Sequence, residues 1–459
     1  MKLSIQTAGI AWLLAQGANA IVINATDSTS VKAAASTVAY GLLKYYTGNN
    51  TGDVAGNLPD PYFWWEAGAM FGTLVDYWFM TGDDTYNNET LQALVHQAGN
   101  NNDFMPANQT STEGNDDQGF WAMAAMSAAE NNFPNPADGE PQWLALAQAV
   151  FNEYTTRWDT ASCNGGMRWQ IFTFNNGYNY KNSISNGCFF NLATRLWRFT
   201  GNQTYADWAT KVWDWETGVG FITSDYKVYD GASVSGTDNC STKDTIQWSY
   251  NAGIFLHGAA VMYNGTNGTE LWKTRVDGLW NETRDTFFNN SIMVEQACET
   301  VNLCDNDEQS FKGYLARWMA GTAQMAPYTS TEIVPLLQAN AAAAAAACSG
   351  SPATGFKGLA GTACGFKWYT GSFDGTVGVG EQMNALSAIM YSLVQEEVAA
   401  PVTASTGGTS KGNPSAGTQT SPAATDVLAP ITTASRVAAG FLTTAVAFSL
   451  LGGGVFLVK

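Results

Sequence analysis

Histidine is nearly missing from this chain: His96 and His257 are its two examples in 459 residues, and neither lies close in sequence to a metal-ligand cluster. A Ser-His-Asp triad and a histidine zinc site are therefore poor fits, since both depend on imidazole. Basic residues are also scarce, with 21 Lys and Arg against 39 Asp and Glu and a net charge of −18. No basic stripe is present to neutralise phosphates, which argues against nucleic acid as a partner. No acidic loop has the spacing of a calcium site, so no metal and no cofactor are expected. Strand-like alternation is rare between residues 30 and 400, which excludes an all-β architecture.

Helical periodicity fills that space instead. Apolar residues recur with helical spacing over 30–46, 64–80, 84–99, 117–131, 141–157, 185–199, 203–215, 246–263, 269–287, 308–325, 330–347 and 380–397. Short turns join some neighbours, and Thr81-Gly82-Asp83-Asp84-Thr85-Tyr86 is closely repeated as Thr200-Gly201-Asn202-Gln203-Thr204-Tyr205. An aromatic follows each turn at Tyr86, Trp143, Tyr205 and Trp272, a drifting period of about sixty residues. A lone hairpin cannot bury its apolar face, so six in succession predict an (α/α)6 toroid, an all-α fold. The even-numbered segments are richer in apolar and small residues and should form the inner ring. Long loops lead into their N-terminal ends, which gathers the polar-aromatic clusters of the chain on one face.

The ends of the chain carry different signals. Residues 1–20 read as a secretory signal peptide, with Lys2, an apolar run from Ile10 to Ala15, and Ala18-Asn19-Ala20 as a small-x-small cleavage site. Residues 21–400 should form the catalytic domain, and 401–433 a Ser/Thr/Gly/Pro-rich linker with a composition that does not pack a core. An apolar tail within 434–459 is long enough to span a bilayer, but Lys459 alone is a weak stop-transfer signal. A small-residue site, spacer and terminal apolar stretch fit a GPI-attachment signal better, with the attachment residue between Ser415 and Asp426.

Ten Asn-x-Ser/Thr sequons, at Asn24, Asn49, Asn88, Asn108, Asn202, Asn239, Asn264, Asn267, Asn281 and Asn289, suit a glycosylated surface protein on the secretory route, at the outer plasma membrane or in a cell wall. Seven cysteines in an oxidising compartment allow three disulfides. Cys298 with Cys304 and Cys348 with Cys364 are local pairs. Cys188, in an apolar helical run, is the buried leftover, which leaves Cys163 and Cys240.

The chemistry centres on Asp116 and Asp117 in Asn115-Asp116-Asp117-Gln118-Gly119-Phe120-Trp121. Taken alone, they read as ordinary helix N-terminal acids. Among aromatic-rich loops, paired carboxyls suit glycosidic-bond chemistry, in which one moves a proton and the other attacks or stabilises the anomeric carbon. Trp64, Trp121, Trp169, Tyr180 and Tyr250 are candidates to stack on pyranose faces, with core packing the alternative for each. Gln118, Asn182, Asp230 and Asp374 are candidates to bind sugar hydroxyls, and Asp230 equally fits a turn. Lys181 and Arg168 are expected in structural or solvated ion pairs.

Several longer motifs add to this pattern: Arg168-Trp169-Gln170-Ile171, the run from Tyr178 to Gly187, Thr204-Tyr205-Ala206-Asp207-Trp208, Phe311-Lys312-Gly313-Tyr314 and Phe373-Asp374-Gly375. Over residues 25–400 the chain resembles glycoside hydrolase family 76, in particular its fungal GPI-anchored branch of endo-α-1,6-mannosidases implicated in cell-wall assembly. The resemblance implies an (α/α)6 fold and a retaining mechanism, with Asp116 as nucleophile, kept ionised, and Asp117 as general acid/base with a raised pKa. It also implies a donor of α-1,6-mannan or GPI-core glycan and transfer to β-1,6-glucan as an acceptor. Plain hydrolysis of mannan and a catalytically silent mannan-binding scaffold are the rival readings. A monomer is the default.

Overall fold

The computed structural model describes residues 21–394, 398–418 and 443. Twelve helices carry the fold: α1 (Ser28–Leu43), α2 (Trp64–Thr81), α3 (Asn87–Gln97), α4 (Asn115–Glu130), α5 (Trp143–Arg157), α6 (Ser183–Thr200), α7 (Gln203–Val219), α8 (Ser249–Gly265), α9 (Glu270–Phe287), α10 (Phe311–Met325), α11 (Ser330–Ala347) and α12 (Val379–Tyr391). Helices α2, α4, α6, α8, α10 and α12 each pack on the next, and α12 returns to α2, which closes an inner ring. The odd-numbered helices lie outside it, α5 against α4 and α6, and α11 against α10 and α12. This is the toroid that the periodicity predicts.

The alternation of short and long connections follows from the ring. Gly82 and Gly201 end α2 and α6 in the left-handed conformation, at φ 77° and 73°, and return their N–H groups to Trp78 and Trp197. A glycine there closes the helix without a Cβ penalty and lets the chain turn outward at once. The long connections, 44–63, 98–114, 158–182, 220–248, 288–310 and 348–378, all lead back into inner helices at the other end.

Those loops hold short antiparallel strands that the helical reading does not anticipate. Strand β1 (Tyr180–Asn182) pairs with β2 (Gly231–Ser233), which pairs with β3 (Lys243–Asp244). The disulfide Cys163–Cys240 ties the same two loops together. Cys298–Cys304 and Cys348–Cys364 are formed as well, and Cys188 is free and buried. All ten sequon asparagines are exposed.

Residues 401–418 depart from the expected unpacked linker. Val402 donates its N–H to Glu130, and Ala404 to Phe199. Leu144 N–H donates to Ser410 Oγ, Asn413 N–H to Gln148 Oε1, and Asn152 Nδ2 to the carbonyls of Pro414 and Ala416. Composition forbids an apolar core here but not a strap whose main-chain groups bond to polar side chains of α5. The proposed signal peptide lies outside the described residues, as does the tail beyond Thr418 apart from Thr443. Among the described residues no helix is long and apolar enough to cross a membrane.

Candidate active site

The N-terminal ends of the inner helices converge on a cleft of about 180 Å³, lined by Trp65, Asp116, Asp117, Phe120, Trp169, Tyr180, Asn182, Asp230, Tyr250, Asp307 and Phe311. Asp116 and Asp117 occupy the first turn of α4, where the helix dipole favours negative charge. Asp117 Oδ2 accepts the Gly114 N–H at 2.6 Å, a local cap that fixes its carboxyl. Asp116 Oδ1 has no hydrogen-bond partner and lies 2.4 Å from where a Cβ on Gly114 would stand. Residue 114 therefore has to be glycine for the Asp116 carboxyl to hold this position.

Behind the pair, Tyr154 donates to the carbonyl of Asn115, and Arg157 bonds Asn115 Oδ1 at 3.1 Å and Gln118 Oε1 at 2.5 Å. Asn115 Nδ2 reaches the carbonyl of Arg168, and its N–H reaches that of Trp169. The start of α4 is thus anchored from α5 and from the loop that carries Trp169.

Asp116 and Asp117 are partly exposed as residues, although Asp116 Oδ1 is buried. Burial raises the pKa of Asp117 to about 7, against the stabilising Gly114 N–H, with the charge of Asp307 adding to the rise. Burial and then the neighbouring Asp117 raise Asp116 well above the ordinary carboxylate range. Two such neighbours titrate as one unit, and the charge of either disfavours the charge of the other. The Gly114 N–H favours the Asp117 anion and the backbone N–H groups of Asp116 and Asp117 favour the Asp116 anion, while Asp116 Oδ1 itself has no partner.

The walls are aromatic and acidic. Tyr250 stacks on Phe311 with ring centroids 3.8 Å apart, and Trp65 packs against Phe120 at 4.8 Å. Trp65 Nε1 donates to Asp307, whose pKa burial and then Asp305 raise to about 6. Tyr180 donates its hydroxyl to Asp230 Oδ2 at 2.8 Å, and burial raises Asp230 too. Asn182 caps α6 by accepting the Ser185 N–H.

Of the residues picked from sequence, Trp169, Tyr180, Asn182, Asp230 and Tyr250 thus line the cleft with the Asp pair, while four others stand elsewhere. Trp121 is fully buried, stacked between Trp64 and Phe104, and has no face to offer a sugar. Trp64 turns into the same stack and donates its indole N–H to Gln97. Gln118 is fully buried on Asp103, Glu153 and Arg157. Asp374 organises its own loop, accepting from Lys367 and Thr376. Arg168 and Lys181 both pair with Asp159, with the Lys181 ammonium also held by three backbone carbonyls. Among the described residues no group of three or more His, Cys, Asp or Glu is arranged to hold a metal.

Sequence reasoning missed Trp65, Phe120, Asp307 and Phe311. Trp65 and Phe120 each adjoin a tryptophan that was picked, and Phe311 lies in a quoted motif.

Comparison with known proteins agrees with this geometry. The family model described as glycosyl hydrolase family 76 matches residues 30–405. The chain belongs to that family. Mannan endo-1,6-alpha-mannosidase DCW1 of Saccharomyces cerevisiae is 48% identical over 96% of either chain, and mannan endo-1,6-alpha-mannosidase DFG5 of the same yeast is 42% identical over 96% of this chain and 94% of its own. The crystal structure of Dfg5 from Chaetomium thermophilum in complex with glucosamine superimposes with a TM-score of 0.82 at 45% identity, covering 87% of this chain and 98% of that one. An inactive variant of the alpha-1,6-mannanase GH76A of Salegentibacter, in complex with alpha-1,6-mannotriose, shares the fold with a TM-score of 0.61 at 18% identity, over 80% of this chain and all of its own. This family 76 chain is a glycoside hydrolase.

Proposed function

We propose that this family 76 chain cleaves α-1,6-mannosidic bonds within a mannan or the mannose core of a GPI glycan, with retention, and passes the glycosyl group to a sugar hydroxyl such as that of β-1,6-glucan. The observation that carries the reading is the adjacent carboxyl pair on the floor of an aromatic-walled cleft, one oxygen of it unpartnered. The names of the relatives support mannan as donor.

In the first step Asp116 attacks the anomeric carbon. The bond from that carbon to the leaving oxygen breaks, a glycosyl ester forms, and Asp117 gives its proton to the leaving oxygen. In the second step Asp117 takes a proton from the incoming hydroxyl, which attacks the same carbon and frees Asp116. The first step needs its proton on Asp117, and the raised pKa of that carboxyl favours holding one there. Asp230, Asp307 and Asn182 are placed to accept or donate to sugar hydroxyls, and Trp169 and the Tyr250–Phe311 stack to cover apolar ring faces. In the cell we place the protein on the secretory route, glycosylated, monomeric, and held by a GPI anchor at the outer membrane face or in the wall. The terminal sequence signals support this.

The test is to incubate the secreted domain and its Asp116→Asn variant with α-1,6-mannotetraose or a GPI-core glycan, with and without β-1,6-glucan oligomers, and to weigh the products. A mass equal to donor fragment plus acceptor, absent with the variant, is expected. Shortened mannosides alone would limit the activity to hydrolysis, and binding without turnover of either donor would make the protein a scaffold.

A further inference from the structure

The strap of residues 401–418 changes where the chain leaves the domain. Pro401 and Val402 lie at the end opposite the cleft, where Arg198 near the C-terminus of α6 bonds both their carbonyls. A free linker from this point would tether the domain by its far end, with the cleft facing away from the anchor. The strap instead crosses the α4–α5 connection, where Asn132 bonds Gly407 and Thr409, and then climbs α5 by way of Leu144, Gln148 and Asn152. Helix α5 runs toward the cleft and ends at Arg157, which bonds Asn115 and Gln118 on either side of the Asp pair. Asn152 is five residues short of that end, about 8 Å along the helix axis.

The fit at the upper end is close. Gly417 has φ +71°, and a Cβ there would lie 2.4 Å from the carbonyl oxygen of Ala149, so only glycine lets the strap lie against α5. Thr418 closes a turn onto the carbonyl of Ser415 through both its N–H and its hydroxyl. Residues 415–418, part of the predicted attachment range, are therefore engaged in the fold. Attachment anywhere from Ser415 to Asp426 then lies on the strap or at most about 29 Å of extended chain beyond it.

We propose that residues 401–418 are an orienting strap that makes the lipid anchor leave beside the cleft-bearing end of the domain, and so commits the cleft to glycans carried on the same membrane surface. This rests on the anchored, mannoside-cleaving reading above and narrows its donor class to bilayer-borne glycans. A short tether from the cleft end keeps the opening within reach of the bilayer, whereas a tether from the opposite end adds the height of the toroid.

The experiment uses the full anchored chain on vesicles, with a dye at Thr173→Cys on an exposed cleft-side loop and an acceptor dye in the lipid. The one unpaired cysteine, Cys188, is buried, which confines the label. A second form replaces residues 401–418 with a Gly/Ser segment of equal length. Expected with the replacement are an energy-transfer efficiency at least twofold lower and turnover of a lipid-linked mannoside about tenfold lower, with soluble α-1,6-mannotetraose cut within twofold of the native rate. Unchanged transfer, or unchanged turnover of the lipid-linked donor, overturns the proposal. Loss of soluble turnover in the replacement alone also overturns it, because the strap would then be part of the catalytic fold. If even the native chain cuts no soluble mannoside, the activity reading fails, and energy transfer still decides whether the strap orients the domain.

Discussion

The two ends of the inner ring handle buried charge in opposite ways. At the end away from the cleft, Arg195 pairs with Glu130 at 2.7 Å and Arg317 with Asp76 at 2.7 Å, and Ser127 Oγ accepts from both arginines. Tyr391 donates its hydroxyl to Asp76 as well. At the cleft end, Glu66, Asp116, Asp117, Asp230, Asp307 and Glu381 are crowded together, and among the described residues none makes an ion pair. Helix C-termini suit cations and helix N-termini suit anions, so the dipoles of the ring support both arrangements. The difference is that the far-end acids are tied to arginines across the ring, while four of the unpaired acids, Asp116, Asp117, Asp230 and Asp307, line the cleft, where Lys312 pairs with Glu299 instead. Their raised pKa values are the cost of that freedom.

Substitution at each end should separate activity from stability. Asp116→Asn should lower turnover by roughly 10⁴-fold, with fold and glycan binding intact by circular dichroism and calorimetry. At the far end, Arg317→Met leaves Asp76 buried and unpaired, and should cost about 3–5 kcal/mol in denaturant unfolding while turnover per folded molecule is unchanged. Trp121→Ala should cost about as much, ~3–5 kcal/mol, by emptying the stack between Trp64 and Phe104.

The unpaired acids also set a pH dependence. A carboxyl whose pKa rises on folding binds its proton more tightly in the folded chain, so stability falls as pH rises from about 4, the unfolded value, through the folded value. Burial raises Asp307 to about 6, Asp117 and Glu381 to about 7, and Glu66 to about 8. The melting temperature should therefore decline between pH 5 and pH 8. Glu66→Gln should flatten that decline, and a flat native profile would contradict the account. The smallest effect expected is at the wall, where Trp169→Ala should raise KM for a mannotetraose about tenfold, ~1.4 kcal/mol, with kcat nearly kept.

The twelve helices were legible because inner and outer segments differ in apolar content and because the Thr81–Tyr86 and Thr200–Tyr205 turns repeat. The limits of that legibility show at Trp64-Trp65 and Phe120-Trp121. In each pair one aromatic faces the cleft and the other the core, and the tryptophan picked from sequence was the core one both times. A helix rotates about 100° per residue, and inner helices are apolar on nearly every side, so periodicity does not say which face meets the cleft. Asp307 was hidden for another reason: its place in the site comes from the fold of the 288–310 loop and the distant Trp65. The strap was missed because composition reports on apolar cores and not on main-chain hydrogen bonds to Gln148 and Asn152.

The central claim is that Asp116 forms a covalent bond to the sugar in this cleft. A 2-deoxy-2-fluoro mannoside with a good leaving group slows both steps, the second enough for the glycosyl-enzyme to accumulate, and peptide mass spectrometry then locates the adduct. The account predicts one added glycosyl group on Asp116, absent from Asp116→Asn. An adduct on Asp117, or turnover with inversion and no adduct, would contradict it.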